Sequence, residues 1–441
     1  MSTIAWRILR FSKPSTFFGG FWPRSSPRSN GWPGGWSGGE HAVASPDRQQ
    51  VADHRERDLT SHVVVVGGGI GGVAVASELR RRVGGEHRIT LVDKGGTHVF
   101  QPDFLWVMMG WRRPERIQRD LRRLSRRGIE VVTAEVRGLD TAAHRIDTSA
   151  GPLAYDRLVL APGAELAPSA LEGFPSGARN LYTLEGAQRL REDLSTFQQG
   201  KVVVLISATP FKCPAAPYEA AFLLDYHFRR KGFRSSVSVD IVTPEPQPMP
   251  VAGPEVGKAL VGMLEERNIG YHPLRKPSRI DPASCEIVLA TDERVPYDLL
   301  VGVPPHRAPG FVRDAGLTDG SGWIPVDPRT LRSSADHVFA IGDVAAIKLA
   351  NGMFLPKAGV FAHRQAVAVA QALAADLTSR SDGGTFDGIG HCWVETGFGK
   401  AAFGSGDFYA TPAPRVQLRA PRRTLRWGKV LFERYWLRKW F

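Results

Sequence analysis

The 441-residue chain is expected to be an α/β protein with two parallel-sheet units and a C-terminal region of different character. Three observations predict this. Two short β-branched runs, "VVVV" (63–66) and "KVVVLI" (201–206), each lead through a turn into a helical stretch. The first of these turns is "GGGIGG", with Gly67, Gly69 and Gly72 in the spacing G-x-G-x-x-G. From residue 390 onward the pattern becomes β-rich and aromatic and ends in a basic tail.

Composition sets the frame. The chain is 42% hydrophobic and 23% charged, which is globular, and its net charge is +13. A nucleic-acid reading is disfavoured by where the charge lies. Residues 415–441 hold nine Lys/Arg and one acid, Glu433. A second cluster, "RRPERIQRDLRRLSRR" (112–127), has Ile117, Leu121 and Leu124 at the spacing of a surface helix, whose arginines would be a solvated face. Three cysteines, Cys213, Cys285 and Cys392, exclude a disulfide scaffold, a Cys-rich zinc site and a haem attachment motif. No metal site is expected. No apolar run is long enough to span a bilayer.

Along the chain, residues 1–60 are Gly/Ser/Pro-rich without periodicity and are expected to be a disordered extension. The first 39 residues lack acids, as a transit peptide does, although a non-functional extension reads the same way. Residues 61–165 and 304–380 are expected to form one discontinuous Rossmann-like domain. Residues 166–303 form a second, and 381–441 a C-terminal region with a membrane-associating tail.

The first turn is a nucleotide site. Gly67 permits the tight turn, Gly69 lets backbone approach a pyrophosphate, and Gly72 lets helix and strand pack closely. The helix N-terminus supplies free N–H groups to phosphate. Asp93, 21 residues past Gly72 and at the end of the next strand, is placed to accept from ribose hydroxyls. "YDRLVLAPGAE" (155–165), containing Gly163, and "HVFAIGDVA" (337–345) resemble two later motifs of two-dinucleotide flavoproteins. That resemblance implies FAD, with Asp343 on its ribityl chain.

The second turn differs. From Val202 to Lys231 there is no glycine, and Pro210, Pro214 and Pro217 lack the N–H groups that hold a phosphate. NAD(P)H binding is therefore expected to be lost. A cysteine stands in the turn instead, in "FKCPAAPYE" (211–219).

Here the sequence resembles the sulfide:quinone oxidoreductases. The resemblance rests on the FAD fingerprint, on Cys213 and Glu219 opening a helix, on the Pro-Lys of "MFLPKAGV", and on "CWVETGFGKA", where Cys392 precedes Gly397, Gly399 and Ala401. It covers roughly residues 62–441. It implies oxidation of sulfide to sulfane sulfur by Cys213 and Cys392, with Glu219 handling the proton and Lys357 beside the flavin. Electrons then pass to a membrane quinone. For Glu219 a plain first-turn helix acid is the alternative, and for Lys357 a surface lysine. Cys285, in a hairpin pattern, is expected to be inert. No cysteine precedes Cys213, so FAD is expected to be non-covalent.

Quinones dissolve in lipid, so the bilayer surface is an expected partner, most readily a bacterial cytoplasmic membrane. Self-association is left open. In the tail, Leu431, Phe432, Tyr435 and Trp436 are expected to share a membrane face, with docking on the protein core as the alternative. Removing residues 424–441 is then expected to spare reduction by sulfide. Rival functions are a sulfide dehydrogenase with a cytochrome acceptor, an NADH:quinone oxidoreductase, and a flavin redox sensor or persulfide carrier without turnover.

Overall fold

The structure is a computed structural model that describes residues 60–379 and 383–441; the extension expected at 1–60 lies, but for Thr60, outside them. Described in chain order, β1 (His62–Val66) leads into α1 (Ile70–Val83), β2 (Arg88–Asp93), β3 (Glu130–Thr133) and β4 (Arg157–Leu160). Next come β5 (Arg179–Asn180), β6 (Gly200–Ile206), α2 (Ala216–Lys231), β7 (Val237–Val242), β8 (Ile269–His272) and β9 (Leu299–Val303). The chain then passes through β10 (Val338–Ala340) and α3 (Gly359–Leu377) to β11 (Ile389–Glu395), β12 (Ala401–Asp407), β13 (Arg415–Arg422) and α4 (Arg423–Lys439). The expected mixed α/β architecture is present.

Two parallel five-stranded sheets form the framework. The first has the order β10-β4-β1-β2-β3 and the second β5-β9-β6-β7-β8. Their central strands carry the unbroken valine runs because both faces are covered, so no polar alternation is needed. Helix α1 lies along α3. Both helices are rich in buried small residues, among them Ala74 and Ala76 in α1 and Ala362, Ala366 and Ala370 in α3.

β11, β12 and β13 form an antiparallel sheet that delivers the chain into α4. Helix α4 docks on the core by one face. Lys429, Glu433, Trp436 and Leu437 are buried along it, as is Trp440 just beyond its end. Trp436 donates its indole N–H to His98 Nε2 at 3.2 Å, while His98 Nδ1 meets the carbonyl of Gly68 at 2.9 Å. Burial pushes His98 down to about 4, so the ring is neutral. The Gly68 carbonyl needs a donor, so Nδ1 carries the proton and Nε2 accepts from the indole. The tail thus reaches the glycine turn through one histidine.

Two expectations change. Residues 112–127 are not one helix. They form a 3-10 turn (Pro114–Ile117), a short strand (Gln118–Asp120) paired with Thr97–Val99, and a second 3-10 segment (Leu121–Arg127). Pro114 starts the first turn, and the Asp120 side chain accepts from the Arg122 N–H to start the last. Ile117, Leu121 and Leu124 are nevertheless buried as their pattern suggested. The tail face also splits. Trp436 is 1% exposed while Leu431 and Tyr435 are about half exposed, at 47% and 48%. The reason is that the stripe running through 429, 433, 436 and 440 wins the core, because its two charges find buried partners.

Within the glycine turn, Gly72 has no room for a side chain. A Cβ on Gly72 would lie 1.8 Å from the carbonyl oxygen of Gly67, which is backbone and cannot swing aside. Gly72→Ala is expected to cost on the order of 3 kcal/mol and to leave the protein without yellow colour. Chemical denaturation and the visible spectrum of the purified variant check this.

Candidate active site

The residues expected to hold a dinucleotide converge at the C-terminal ends of the first sheet. Gly67 has φ +107°, and a Cβ there would meet the Ala161 carbonyl at 2.3 Å. Gly69 precedes α1 and would carry a Cβ into open space. The first N–H groups of α1 are therefore approachable from outside. Gly163, with φ +74°, also faces open space. Gly342 donates its N–H to Gln365 Oε1 at 2.7 Å and starts the turn that carries Asp343. Burial raises the Asp343 carboxyl, while Lys212 and Lys357 pull it back down. An open helix N-terminus, a cradle that only glycine fits, and an inward carboxyl fit an FAD.

Asp93 is already occupied. Its Oδ2 accepts from the Gly68 N–H at 2.8 Å, and its Oδ1 from Gly95 and Gly96 at 2.9 and 3.0 Å. Its direct work in this structure is to order two glycine loops.

Lys357 lies beneath the Asp343 turn. Its ammonium donates to the carbonyls of Asp343 and Ala345 at 2.6 and 3.3 Å and sits 3.5 Å from the centre of the Trp323 ring. Burial brings its pKa down to about 7. Its own carbonyl accepts the N–H of Cys213 at 2.6 Å. One residue therefore ties the cofactor turn to the cysteine turn.

Cys213 occupies the loop before α2 in a left-handed conformation, φ +49°. Its carbonyl accepts from the Tyr182 hydroxyl and the Ala216 N–H. Cys392 sits on β11 opposite Gly404, and its thiol lies 3.3 Å from the Trp393 carbonyl. The two residues come from distant parts of the sequence, yet both are half-buried against the same apolar cluster. Both are free thiols here, and burial pushes both up. For Cys213, the Cys392 and Glu219 charges add to the effect. Cys392 rises to about 12, from burial first and Glu219 second. In both cases Lys429 is the cation that opposes the rise. Cys285 lies apart and exposed in its hairpin.

Lys429 is the residue that sequence reasoning missed. Its ammonium meets Glu219 Oε1 at 2.9 Å and Glu395 Oε2 at 3.6 Å. Glu219 Oε1 also accepts the N–H of Glu395 at 2.8 Å. Glu395, fully buried, accepts from Arg426 at 2.7 Å and from the Trp106 indole at 3.2 Å. Burial pulls Lys429 down, but Glu219 and Glu395 together outweigh it and hold it above its ordinary value. Beyond Lys429, Glu433 takes both nitrogens of a bidentate Arg112 fork at 2.6 and 2.5 Å. Asp103 is buried nearby without a hydrogen-bond partner, and burial followed by Glu433 raises its carboxyl well above the carboxylate range. The signal for Lys429 was available in its spacing. Lys429, Glu433, Trp436 and Trp440 fall at i, i+4, i+7 and i+11 on one stripe, which a reading centred on charge density passed over.

At the second sheet the turn after β6 and the end of β7 carry a different set of side chains. Pro214 and Pro217 flank the start of α2. Glu245, just past β7, is buried and accepts from the hydroxyls of Tyr218 and Thr243 at 2.7 and 3.3 Å. Burial pushes its carboxyl up to about 7.

The model of the pyridine nucleotide-disulphide oxidoreductase family matches residues 61–371. The chain belongs to that family. It is 29% identical to a sulfide-quinone reductase of Aquifex aeolicus (strain VF5), over 86% of this chain and 91% of the relative. It is 24% identical to the mitochondrial sulfide:quinone oxidoreductase of Mus musculus, over 79% of each. The X-ray structure of the sulfide:quinone oxidoreductase from Aquifex aeolicus matches with TM-score 0.78 and 26% identity, covering 86% of this chain and 91% of that one. The resemblance drawn from the cysteine contexts is thereby borne out. FAD is the cofactor.

Two variants probe this site. Lys429→Met leaves Glu219 and Glu395 without their shared cation and is expected to cost about 3–5 kcal/mol in urea denaturation, with Lys429→Arg costing less. Glu245 has a folded pKa raised above its unfolded one. Its contribution is therefore fully present below the unfolded value of about 4.3 and is lost as pH rises through about 7. Glu245→Gln should accordingly raise the melting temperature relative to the parent more at pH 8 than at pH 5.

Proposed function

We propose that this protein oxidises sulfide at Cys213 and Cys392 and passes the electrons through FAD to a quinone at a membrane surface. The observation that carries this reading is that both cysteines pack against one apolar cluster, with the Cys213 N–H bonded to the carbonyl of Lys357, whose ammonium holds the Asp343 turn. The overall change balances as one hydrosulfide, one quinone and one proton giving sulfur at the zero oxidation level and one quinol. Bound FAD supplies a two-electron acceptor, held without a covalent bond because no cysteine precedes Cys213.

The chain's own residues do the rest. In the oxidised pair the two sulfurs are joined. Hydrosulfide attacks one of them, the bond between the cysteines breaks, one cysteine keeps the new sulfur as a persulfide, and the other leaves as a thiolate. The buried setting that raises both thiols favours the neutral, sulfur-bonded state over two thiolates. Lys429 supplies the positive charge that steadies the single leaving thiolate. Glu219, fixed between Lys429 and the Glu395 N–H, takes up the proton that the attacking hydrosulfide brings. Lys357 and Asp343 set the distance between cysteine loop and cofactor turn.

Among the described residues no helix is long and apolar enough to cross a membrane. The outer face of α4 suits an interface instead. Trp427, Leu431 and Tyr435 are exposed at i, i+4 and i+8, with Arg434 and Arg438 on the same side. An NADH-dependent reading has against it the proline-flanked turn after β6.

Each cysteine is tested by anaerobic bleaching of the flavin with sulfide. Cys213→Ser and Cys392→Ser are expected to slow bleaching at least 100-fold, and Cys285→Ser to leave it unchanged. Normal bleaching in Cys213→Ser, or rapid bleaching of the parent by NADH, would refute the reading.

A further inference from the structure

The arginines of the 112–119 segment, which the sequence marks as a solvated face, are not scattered over a surface. They line a groove of about 870 Å³ between that segment and α4. Its apolar lining comes from Trp111 and Leu437, and its basic lining from Arg112, Arg113, Arg116, Arg119, Arg434 and Arg438. The acid in the groove, Glu433, is spent on the bidentate Arg112 fork. Among the described residues none of the other five guanidinium groups has a carboxylate partner. Burial first, then the Arg123 and Arg116 charges, lower Arg119 below its ordinary value.

We propose that this groove binds the headgroup of an anionic phospholipid. Five guanidinium groups without a carboxylate partner, beside the apolar Trp111 and Leu437, match a phosphodiester that carries acyl chains, since guanidinium forks bind phosphate oxygens bidentately and the apolar lining accepts the glycerol and first methylenes. The position favours lipid over a soluble phosphate. Arg434 and Arg438 belong both to the groove lining and to the exposed face that bears Trp427, Leu431 and Tyr435, so a bilayer meeting that face presents headgroups at the groove mouth. The inference rests on the membrane reading given above and adds to it a discrete site and a lipid class.

Flotation of the FAD-loaded protein with vesicles provides the test, using phosphatidylcholine alone and phosphatidylcholine with phosphatidylglycerol, at 0.1 M salt. The parent is expected to bind the phosphatidylglycerol vesicles at least tenfold more tightly. Arg116→Ala/Arg434→Ala, both exposed positions, should lose about tenfold on those vesicles and nothing on phosphatidylcholine. Arg126→Ala/Arg127→Ala, equally basic but outside the groove, should lose no more than twofold. Equal losses in the two pairs, or no preference in the parent, would overturn the site. Inorganic phosphate at a few millimolar, with ionic strength matched, should not compete. If it does, the groove serves a soluble phosphate and the lipid assignment falls. Sulfide bleaching of the flavin, measured on the same samples, reports separately on the function proposed above.

Discussion

One ammonium group, that of Lys429, stands at the junction of everything that makes this site. It is buried, so it must be paired, and its partners come from two distant parts of the chain, Glu219 on α2 and Glu395 at the end of β11, with the Asp103 carboxyl adding to the field. Trp106 forms the platform, with Lys429, Arg112 and Arg426 lying 5.2, 4.6 and 5.8 Å from its ring centre. Leaving any one charge in this group unpaired costs several kcal/mol, so the helix that brings Lys429 cannot float free of the core. The same helix is the segment whose outer face carries the exposed tryptophan, leucine and tyrosine. The helix that carries the exposed aromatic face therefore also carries the cation paired with Glu219 and Glu395, so removing residues 424–441 would take that cation away as well.

The two sheets show one local plan put to two uses. After β1 the turn is all glycine, and a Cβ on Gly69, just before α1, would meet only open space. After β6 the turn is built from prolines and a cysteine, and the Tyr218 hydroxyl donates to Glu245 just past β7. Strand, turn and helix are retained while the ligand changes from a phosphate to a thiol. The helix start serves both, since it favours negative charge whether on a phosphate or on a sulfur. What joins the two units chemically is Lys357, whose ammonium holds the Asp343 turn and whose carbonyl holds Cys213.

Much of this was legible in the sequence because it is local. The valine runs, the glycine spacing, and the absence of glycine between Val202 and Lys231 report on backbone within a few residues, and each sits where expected. The buried trio Ile117, Leu121 and Leu124 was right in pattern and wrong in element, because Pro114 and the Asp120 cap break a spacing that helix and 3-10 turns share. The tail was misread for a different reason. Charge density is a sum over a segment, whereas burial selects single side chains by what they meet across the fold. Trp436 goes inward because His98 waits there, and Lys429 because Glu219 does, and neither partner lies within three hundred and two hundred residues of it respectively. Nothing local encodes such a meeting. Asp93 shows the converse: its place was right, but its carboxylate already serves Gly68, Gly95 and Gly96.

The central claim is that the tail's Lys429 belongs to the chemistry at the cysteine pair and is more than a peg for the helix. The most direct measurement is anaerobic rapid mixing of FAD-loaded Lys429→Gln with sulfide, following the flavin absorbance, beside the parent protein. The account predicts that reduction by sulfide slows at least tenfold, and that the loss shrinks as pH rises, because alkali then supplies the thiolate that the ammonium no longer favours. Reduction of the same flavin by dithionite should be unchanged. A sulfide rate equal to the parent's at every pH, in a variant that folds and holds its flavin, would contradict it.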